Sequence, residues 1–196
     1  MFVEPVCLEG RIILLEPLTT EHAPALHPHA DLELFRWTLE FPRDGSYEAF
    51  VDWLQRTTIE APASQPFVIV LGATGEPIGS TSYLDIRPQH RGLEIGRTWI
   101  GKRWQGTVVN PESKYLLLRH AFESLGAVRV QFKTDANNIR SQRAIEKLGA
   151  RREGVLRRYQ VRSNGCHRDS VMYSIIDEEW PEVKARLEAR LAAAVG

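Results

Sequence analysis

The stretch KRWQGTVVNPESK, at residues 102–114, lies between an apolar run and a segment of helical periodicity. Within it, Asn110 is a favoured helix N-cap, and Pro111 suits the first helical position because its missing N–H would have no partner there. Glu112 then complements the positive end of the helix dipole. These residues predict a strand that turns within a few residues into a helix beginning close to Asn110.

Backbone amides that converge before this helix could bind an anion. The helix dipole supplies attraction, Lys102 and Arg103 add positive charge, and Gly106 permits a close approach of the backbone. Phosphate loops usually contain several glycines, however, and this one contains a single glycine. An ordinary strand-to-helix turn without a ligand therefore explains the stretch equally well.

Strand and helix patterns alternate along the rest of the chain. Helix signals include Ser46 as a cap, Gly126 and Gly149 as C-terminal stops, and a last helix at about 178–193. Strands are predicted at 10–18, in a hairpin at 67–86, at 93–100, at 128–134, and in two segments joined by an Asn164-Gly165 turn. The mixed order predicts an α/β (α+β) fold, in which a mixed, mostly antiparallel central sheet of about six to seven strands is flanked by helices, within one domain over 1–196.

Composition restricts the classes of partner. The 25 basic and 25 acidic side chains balance, so no overall field attracts nucleic acid or an anionic membrane, and neither is expected as a partner. The two cysteines, Cys7 and Cys166, have no metal-binding or redox spacing, and no apolar run is long enough to span a bilayer. A cytoplasmic protein is expected.

Several short motifs occur in an order that carries more information than any one of them. They are LEIGRTW at 93–99, RWQGTV at 103–108, NIRS at 138–141, EKLG at 146–149, EG at 153–154 and RDSVMYSIIDEEW at 168–180. Together they resemble the GNAT superfamily of acetyl-CoA-dependent N-acetyltransferases, and most closely its Rim-type branch of ribosomal-protein N-terminal acetyltransferases. The family's loop pattern, R/Q-x-x-G-x-G/A, fails here only at Val108.

The resemblance implies a GNAT fold and the transfer of an acetyl group from acetyl-CoA, without a metal, to a primary amine. A protein N-terminal α-amine is the expected acceptor. A small-molecule amine is the alternative, and a non-catalytic CoA-binding sensor or scaffold is a further one. Sheet edges of such folds often pair, so a homodimer is also considered.

In this family, a strand edge pairs with the pantetheine arm of the coenzyme, and the following loop holds the pyrophosphate. The motif Asn and Ser at the start of a later helix meet the thioester end. Carried over position by position, the expected coenzyme-binding residues are Trp99, Ile100, Arg103, Gln105, Gly106, Thr107, Val108, Val109, Asn138 and Ser141.

The catalytic residues of many relatives do not carry over. Their fifth-strand glutamate corresponds to Lys133, and their tyrosine seven residues after the motif Asn corresponds to Ile145. Ser141 is the remaining hydroxyl that could protonate or hydrogen-bond the thiolate, although a serine in a first helical turn also bonds backbone. Glu94 is the candidate base or water anchor, and a structural ion pair is its alternative. Asn138 could cap the helix and contact the coenzyme at the same time.

Overall fold

The computed structural model describes residues 3–194 and places eight strands in one sheet. The strands are β1 (Leu8–Glu9), β2 (Ile13–Pro17), β3 (Gln65–Leu71), β4 (Pro77–Arg87), β5 (Gly92–Ile100), β6 (Arg129–Asp135), β7 (Arg151–Val161) and β8 (His167–Ile176). Their order is β1-β2-β3-β4-β5-β6-β8-β7, and all described neighbours are antiparallel except β5 and β6. The mixed, mostly antiparallel sheet is confirmed. The predicted strand count was low because β1, with two residues, has no readable periodicity.

Helices cover both faces of the sheet. They are α1 (Ala23–Leu26), α2 (Tyr47–Leu54), α3 (Val109–Arg119), α4 (Ile139–Leu148) and α5 (Trp180–Ala193). One buried cluster joins α1 and α2 to the sheet through Leu26 and Phe50, and a larger one joins α3 and α5 to the opposite face through Leu117 and Leu187. The predicted domain includes residues 1–2 and 195–196, which lie outside the described residues, and its single-domain organisation stays a prediction.

Local signals set several helix ends as expected. The Ser46 side chain accepts a hydrogen bond from the Ala49 N–H at 3.2 Å, which caps α2. Asn138 caps α4, and Gly149 ends it in the left-handed conformation with φ of 103°. These ends are readable from sequence because the residues that form them are neighbours along the chain.

The start of α3 differs from the prediction. The helix begins at Val109, so Asn110 is its second residue rather than its cap, and Pro111 is its third. The hydroxyl of Thr107 instead accepts from the Val109 N–H at 3.3 Å. Pro111 tolerates this shift because N–H groups throughout the first turn lack intrahelical partners.

Glu112 lies in the first turn of α3, and its carboxylate holds the start of the first long strand. It is 3% exposed and accepts hydrogen bonds from the N–H groups of Arg11, Ile12 and Ile13 at 2.8, 3.0 and 3.0 Å. Gly10 permits this approach, since a Cβ there would lie 2.8 Å from the Glu112 carboxyl carbon. Sequence reasoning assigned Glu112 to the helix dipole and did not identify this distant partner.

Within residues 3–194, no helix combines the length and apolar character that crossing a membrane requires.

Replacing Glu112 by Gln should lower the free energy of unfolding by about 3 kcal/mol, because the buried amide presents its own N–H donors to the N–H groups of Arg11, Ile12 and Ile13. Urea denaturation followed by circular dichroism measures the change. Glu9→Gln, at an exposed strand position, is the matched control and should change stability by less than about 0.5 kcal/mol. Equal effects of the two substitutions would show that the buried carboxylate does not anchor β2.

Candidate active site

The sheet divides between β5 and β6. The two strands pair in parallel through only three residue pairs, Gly92 with Arg129, Leu93 with Val130 and Glu94 with Gln131. Beyond Glu94 they diverge, and among the described residues no strand pairs with this edge of β5 at 95–100. Such an edge offers unpaired N–H and C=O groups that an extended ligand can bind as an added strand.

Two helix N-termini face the mouth of this split. Because β5 and β6 are parallel, their carboxyl ends lie at the same edge of the sheet, and α3 and α4 begin shortly after them. Helix N-termini carry free N–H groups and partial positive charge, which favour anions. An elongated ligand with an anionic end therefore suits this part of the fold.

A bulge distorts β5 next to the split. Ser82 pairs with Gly96 but Ser80 pairs with Trp99, so β5 has one more residue than β4 over this interval. Arg97 absorbs the extra residue with φ of 48°, a left-handed conformation that is uncommon outside glycine. The bulge changes the direction in which the N–H and C=O groups of β5 point beside the split between β5 and β6.

A buried lysine supports the bulge from the α3 side. The Nζ atom of Lys114 donates to the hydroxyls of Thr81 and Thr98 at 2.9 and 2.5 Å, and these hydroxyls lie 2.8 Å apart. Burial lowers the pKa of Lys114 to about 7. The neutral amine, hydrogen-bonded to two hydroxyls, therefore predominates above neutral pH.

The loop after β5 leaves its backbone accessible at Gly106. Gly106 is exposed with φ of 79°, and a Cβ built there meets nothing within 4 Å. Val108 keeps an ordinary negative φ of −74° and is half-buried. Valine at this position, where the family's loop pattern has Gly or Ala, therefore leaves the backbone path into α3 unstrained.

Gln105 joins the loop to both neighbouring elements. Its Nε2 donates to the Ile100 carbonyl at 2.9 Å, and its Oε1 accepts from Arg140 of α4 at 2.5 Å. Arg103 is exposed, with its guanidinium 5.7 Å from the centre of the Trp104 ring. The expected coenzyme residues at 103–109 and the start of α4 thus belong to one connected structure.

Trp99 differs from the other expected coenzyme residues. Its indole is 6% exposed and packs with Phe35 and Phe50 in the cluster beneath α1 and α2, at ring-centroid distances of 5.5 and 6.1 Å. Any contribution of Trp99 to the open edge of β5 therefore comes from its backbone.

Asn138 and Ser141 form the first turn of α4. The Asn138 side chain accepts from the Ser141 N–H at 3.1 Å, which confirms the predicted cap. The Ser141 hydroxyl is on a half-buried residue and makes no hydrogen bond with the described residues. The alternative in which this hydroxyl bonds helix backbone is therefore not realised. Its donor remains free for a ligand.

Glu94 lies at the point where β5 and β6 separate. Its side chain is 5% exposed, and its carboxylate is 3.2 Å from Lys133 Nζ and 3.2 Å from Gln131 Nε2. Lys133 occupies the position at which many relatives have a glutamate. The carboxylate thus comes from the neighbouring strand, with a lysine as its partner. Both the base and the ion-pair interpretations are compatible with this geometry.

A second charged cluster, which sequence reasoning did not identify, borders the same face. Asp135, at the end of β6, hydrogen-bonds to Arg162 and lies 3.7 Å from Arg168 Nε. Burial lowers the pKa of Arg168, while the charge of Asp135 raises it. The only signal in the sequence was the occurrence of charged residues within strands of otherwise apolar pattern.

The loop between β7 and β8 closes this region against the N-terminal segment. Arg162 donates to the Arg36 carbonyl at 2.5 Å, and the Ser163 N–H donates to the Leu39 carbonyl at 2.9 Å. The guanidinium groups of Arg36 and Arg162 lie 5.0 and 5.6 Å from the centre of the Trp37 ring. Residues 36–39 and the β7–β8 loop therefore contact each other beside the cluster at Asp135 and form a wall there.

Within residues 3–194, no group of three or more His, Cys, Asp or Glu side chains could hold a metal ion.

This chain is similar in sequence and in structure to known and putative acetyltransferases. A family model described as an acetyltransferase (GNAT) domain matches residues 12–151, well over half of the chain. A crystal structure of a "putative acetyltransferase" from T. thermophilus has a TM-score of 0.91 and 46% sequence identity, and the match covers 97% of this chain and 100% of that one.

Two further relatives are similar over different lengths. "Putative ribosomal N-acetyltransferase YdaF" of Bacillus subtilis (strain 168) is 32% identical over 106 residues, which span 54% of this chain and 57% of the relative. Mycobacterium smegmatis RimJ, in complex with CoA-disulfide, has a TM-score of 0.79 and 23% identity, with 95% of each chain covered. At that identity the RimJ likeness concerns the fold alone.

Replacing Lys114 by Met should stabilise the protein, and more strongly at low pH. Because folding lowers the pKa of this lysine from 10.5 to about 7, the wild-type protein carries the full penalty below pH 7 and loses it as the pH rises towards 10.5. The stability advantage of the variant should shrink by about 3 kcal/mol between pH 6 and 9.5 in urea denaturation. Exposed Lys147→Met is the control. A pH-independent advantage for Lys114→Met would contradict the burial of its charge.

Proposed function

Because the chain belongs to the GNAT acetyltransferase family, we propose that it transfers an acetyl group from acetyl-CoA to the α-amine of a protein N-terminus. The observation that carries the proposal is the open edge of β5, with the start of α3 at its mouth. This arrangement suits an extended pantetheine arm that ends in a pyrophosphate. The similarity to YdaF, a putative ribosomal N-acetyltransferase, supports the ribosomal-type acceptor.

The residues of the loop fit a pyrophosphate. Gly106 has the positive φ and the open surroundings that let a phosphate approach the backbone closely, and Val108 begins the turn into α3 without strain. Arg103 is exposed beside them and adds positive charge. In this placement, the pantetheine arm lies along residues 95–100 and its thioester end reaches the first turn of α4.

The chemical step needs a neutral amine and a stabilised thiolate. An α-amine with a pKa near 8 is roughly one tenth neutral at pH 7, whereas a lysine amine is far less so. The amine nitrogen bonds to the acetyl carbon as the carbon–sulfur bond breaks, and the proton lost from nitrogen passes to Glu94 directly or through water. Ser141 donates a hydrogen bond from its free hydroxyl to the departing thiolate, which then takes its proton from water. An α-amine suits this site because it demands little from the base.

A non-catalytic CoA-binding domain is the second candidate. It is favoured by Ile145, which is 8% exposed and packed in the core at the position where many relatives have a tyrosine acid. The distinguishing experiment measures free thiol released from acetyl-CoA in the presence of peptides and small amines. Acetylation of peptide α-amines supports our proposal, acetylation of small amines alone supports the small-molecule alternative, and CoA binding without any thiol release supports the sensor.

Acetyl-CoA at millimolar concentration should raise the thermal midpoint of the wild-type protein by several degrees, because binding to the folded state stabilises it. Gly106→Asp should abolish this rise, since it places negative charge where the pyrophosphate binds. Gly75→Asp is a matched control, because Gly75 also has positive φ, 70°, and open surroundings in a distant turn. If Gly106→Asp retains the rise, the loop is not the cradle.

Ser141→Ala should reduce kcat for peptide acetylation by about tenfold to a hundredfold, as expected for the loss of one hydrogen-bond donor. The KM for acetyl-CoA should change by less than threefold, and the thermal midpoint should stay within about 1 °C because the hydroxyl makes no hydrogen bond with the described residues. Steady-state kinetics measure the first two quantities. An unchanged kcat would remove Ser141 from the mechanism.

A further inference from the structure

The charges at Asp135 do not balance. One carboxylate, with its side chain 2% exposed, faces the guanidinium groups of Arg162 and Arg168, whose side chains are 10% and 8% exposed. Two positive charges and one negative charge therefore share a largely desolvated region. A buried guanidinium without a matched anion is unfavourable, so its free donors favour an anionic ligand.

The two arginines play different parts. Arg162 is engaged through both terminal nitrogens, because Nη2 hydrogen-bonds to Asp135 and Nη1 donates to the Arg36 carbonyl at 2.5 Å. Arg168 lies beyond hydrogen-bond reach of Asp135, with 3.7 Å between Nε and Oδ2, and its buried Nε has no partner among the described residues. An arginine that served only to brace Asp135 would use two short parallel hydrogen bonds. Arg168 does not.

Arg168 lies on the same face of the sheet as the candidate base. It lies on β8 opposite Gln160 of β7, and Asp135 is one strand further into the sheet. Lys133, which pairs with Glu94, and Asp135, which lies beside Arg168, are two residues apart on β6 and therefore lie on the same face of the sheet. The candidate base and the free guanidinium thus border the same region behind the Arg36–Leu39 wall.

We propose that Arg168 binds a carboxylate of the acceptor, so that preferred substrates carry an acid group close to the reacting amine. The inference rests on the proposed acetyl transfer and names its substrate class. A planar guanidinium with free N–H groups matches a carboxylate in a bidentate geometry. The neighbouring Lys133 and Glu94 are paired with one another, which leaves the positive charge of Arg168 to select the ligand. Polyamines and other cationic acceptors are disfavoured.

The carboxylate has two sources, which paired acceptors distinguish. The peptides Ser-Glu-Ala-Ala-amide and Ser-Gln-Ala-Ala-amide differ only in the acid near the α-amine, while the free α-amides of glutamate and glutamine, which differ in the same way, test a small acceptor. The wild-type enzyme should show at least tenfold higher kcat/KM for the acidic member of one pair. Preference within the peptide pair identifies a protein N-terminus, and preference within the amino-acid pair identifies a small molecule. Equal kcat/KM within both pairs overturns the proposal.

Arg168→Met should remove the preference by lowering kcat/KM for the acidic acceptor tenfold or more, with less than threefold change for its neutral twin. Arg157→Met, which removes an exposed charge from the same hairpin, should keep the preference. A retained thermal shift with acetyl-CoA verifies that Arg168→Met is folded. If both variants behave alike, Arg168 does not bind the carboxylate.

A binding measurement separates this inference from the proposed function. Isothermal titration of the four acceptors into CoA-saturated protein reports recognition without turnover. Tighter binding of an acidic acceptor, lost in Arg168→Met, supports the carboxylate site even if no thiol is released. Thiol release with equal binding of acidic and neutral acceptors supports acetyl transfer and overturns the role of Arg168.

Discussion

Three residue pairs hold β5 against β6, and the candidate site depends on how few they are. If the pairing continued past Glu94, the edge of β5 would be filled by β6 and no extended ligand could bind there. Because the pairing is parallel, the same arrangement directs α3 and α4 towards one edge of the sheet. The separation of the strands therefore creates the binding edge, and their direction supplies the helix ends that complete it.

Charge within this opening is organised in two groups. Glu94 and Lys133 form a pair at 3.2 Å where the strands separate, and Asp135 faces two arginines further along β6. The first group is suited to handling a proton of the amine, and the second has positive charge in excess. A chain with no net charge thus concentrates a local field where a substrate would be held, in keeping with the expectation that any charged ligand is bound locally.

Local sequence patterns predicted much of this fold, and distant contacts explain where they failed. The caps at Ser46 and Asn138 and the stop at Gly149 involve residues within four positions of each other, so they could be read directly. The start of α3 was predicted two residues too late, because the helix begins directly after Val108 and Asn110 does not cap it. The motifs identified the family and its loop, and the placement of Glu94 beside Lys133 required the register between two strands.

Other features had no sequence signal of sufficient strength. The hydrogen bonds of Lys114 with Thr81 and Thr98 connect α3 to two strands, and nothing in an amphipathic pattern distinguishes this lysine from an exposed one. The arginines around Asp135 occur in a hairpin whose other charged residues face solvent. Their burial follows from the docking of that hairpin on the N-terminal segment, which only the folded structure reveals.

The contact of Glu112 with the start of β2 has a consequence for the order of folding. The carboxylate and the Arg11 amide are 101 positions apart, so the contact forms only after more than half of the chain is available. During synthesis, the amides at the start of β2 can bond to Glu112 only after the beginning of α3 has left the ribosome. Contacts of such long separation slow folding because the intervening loop must close before they form. The N-terminal strand is therefore held by a residue that the cell makes much later.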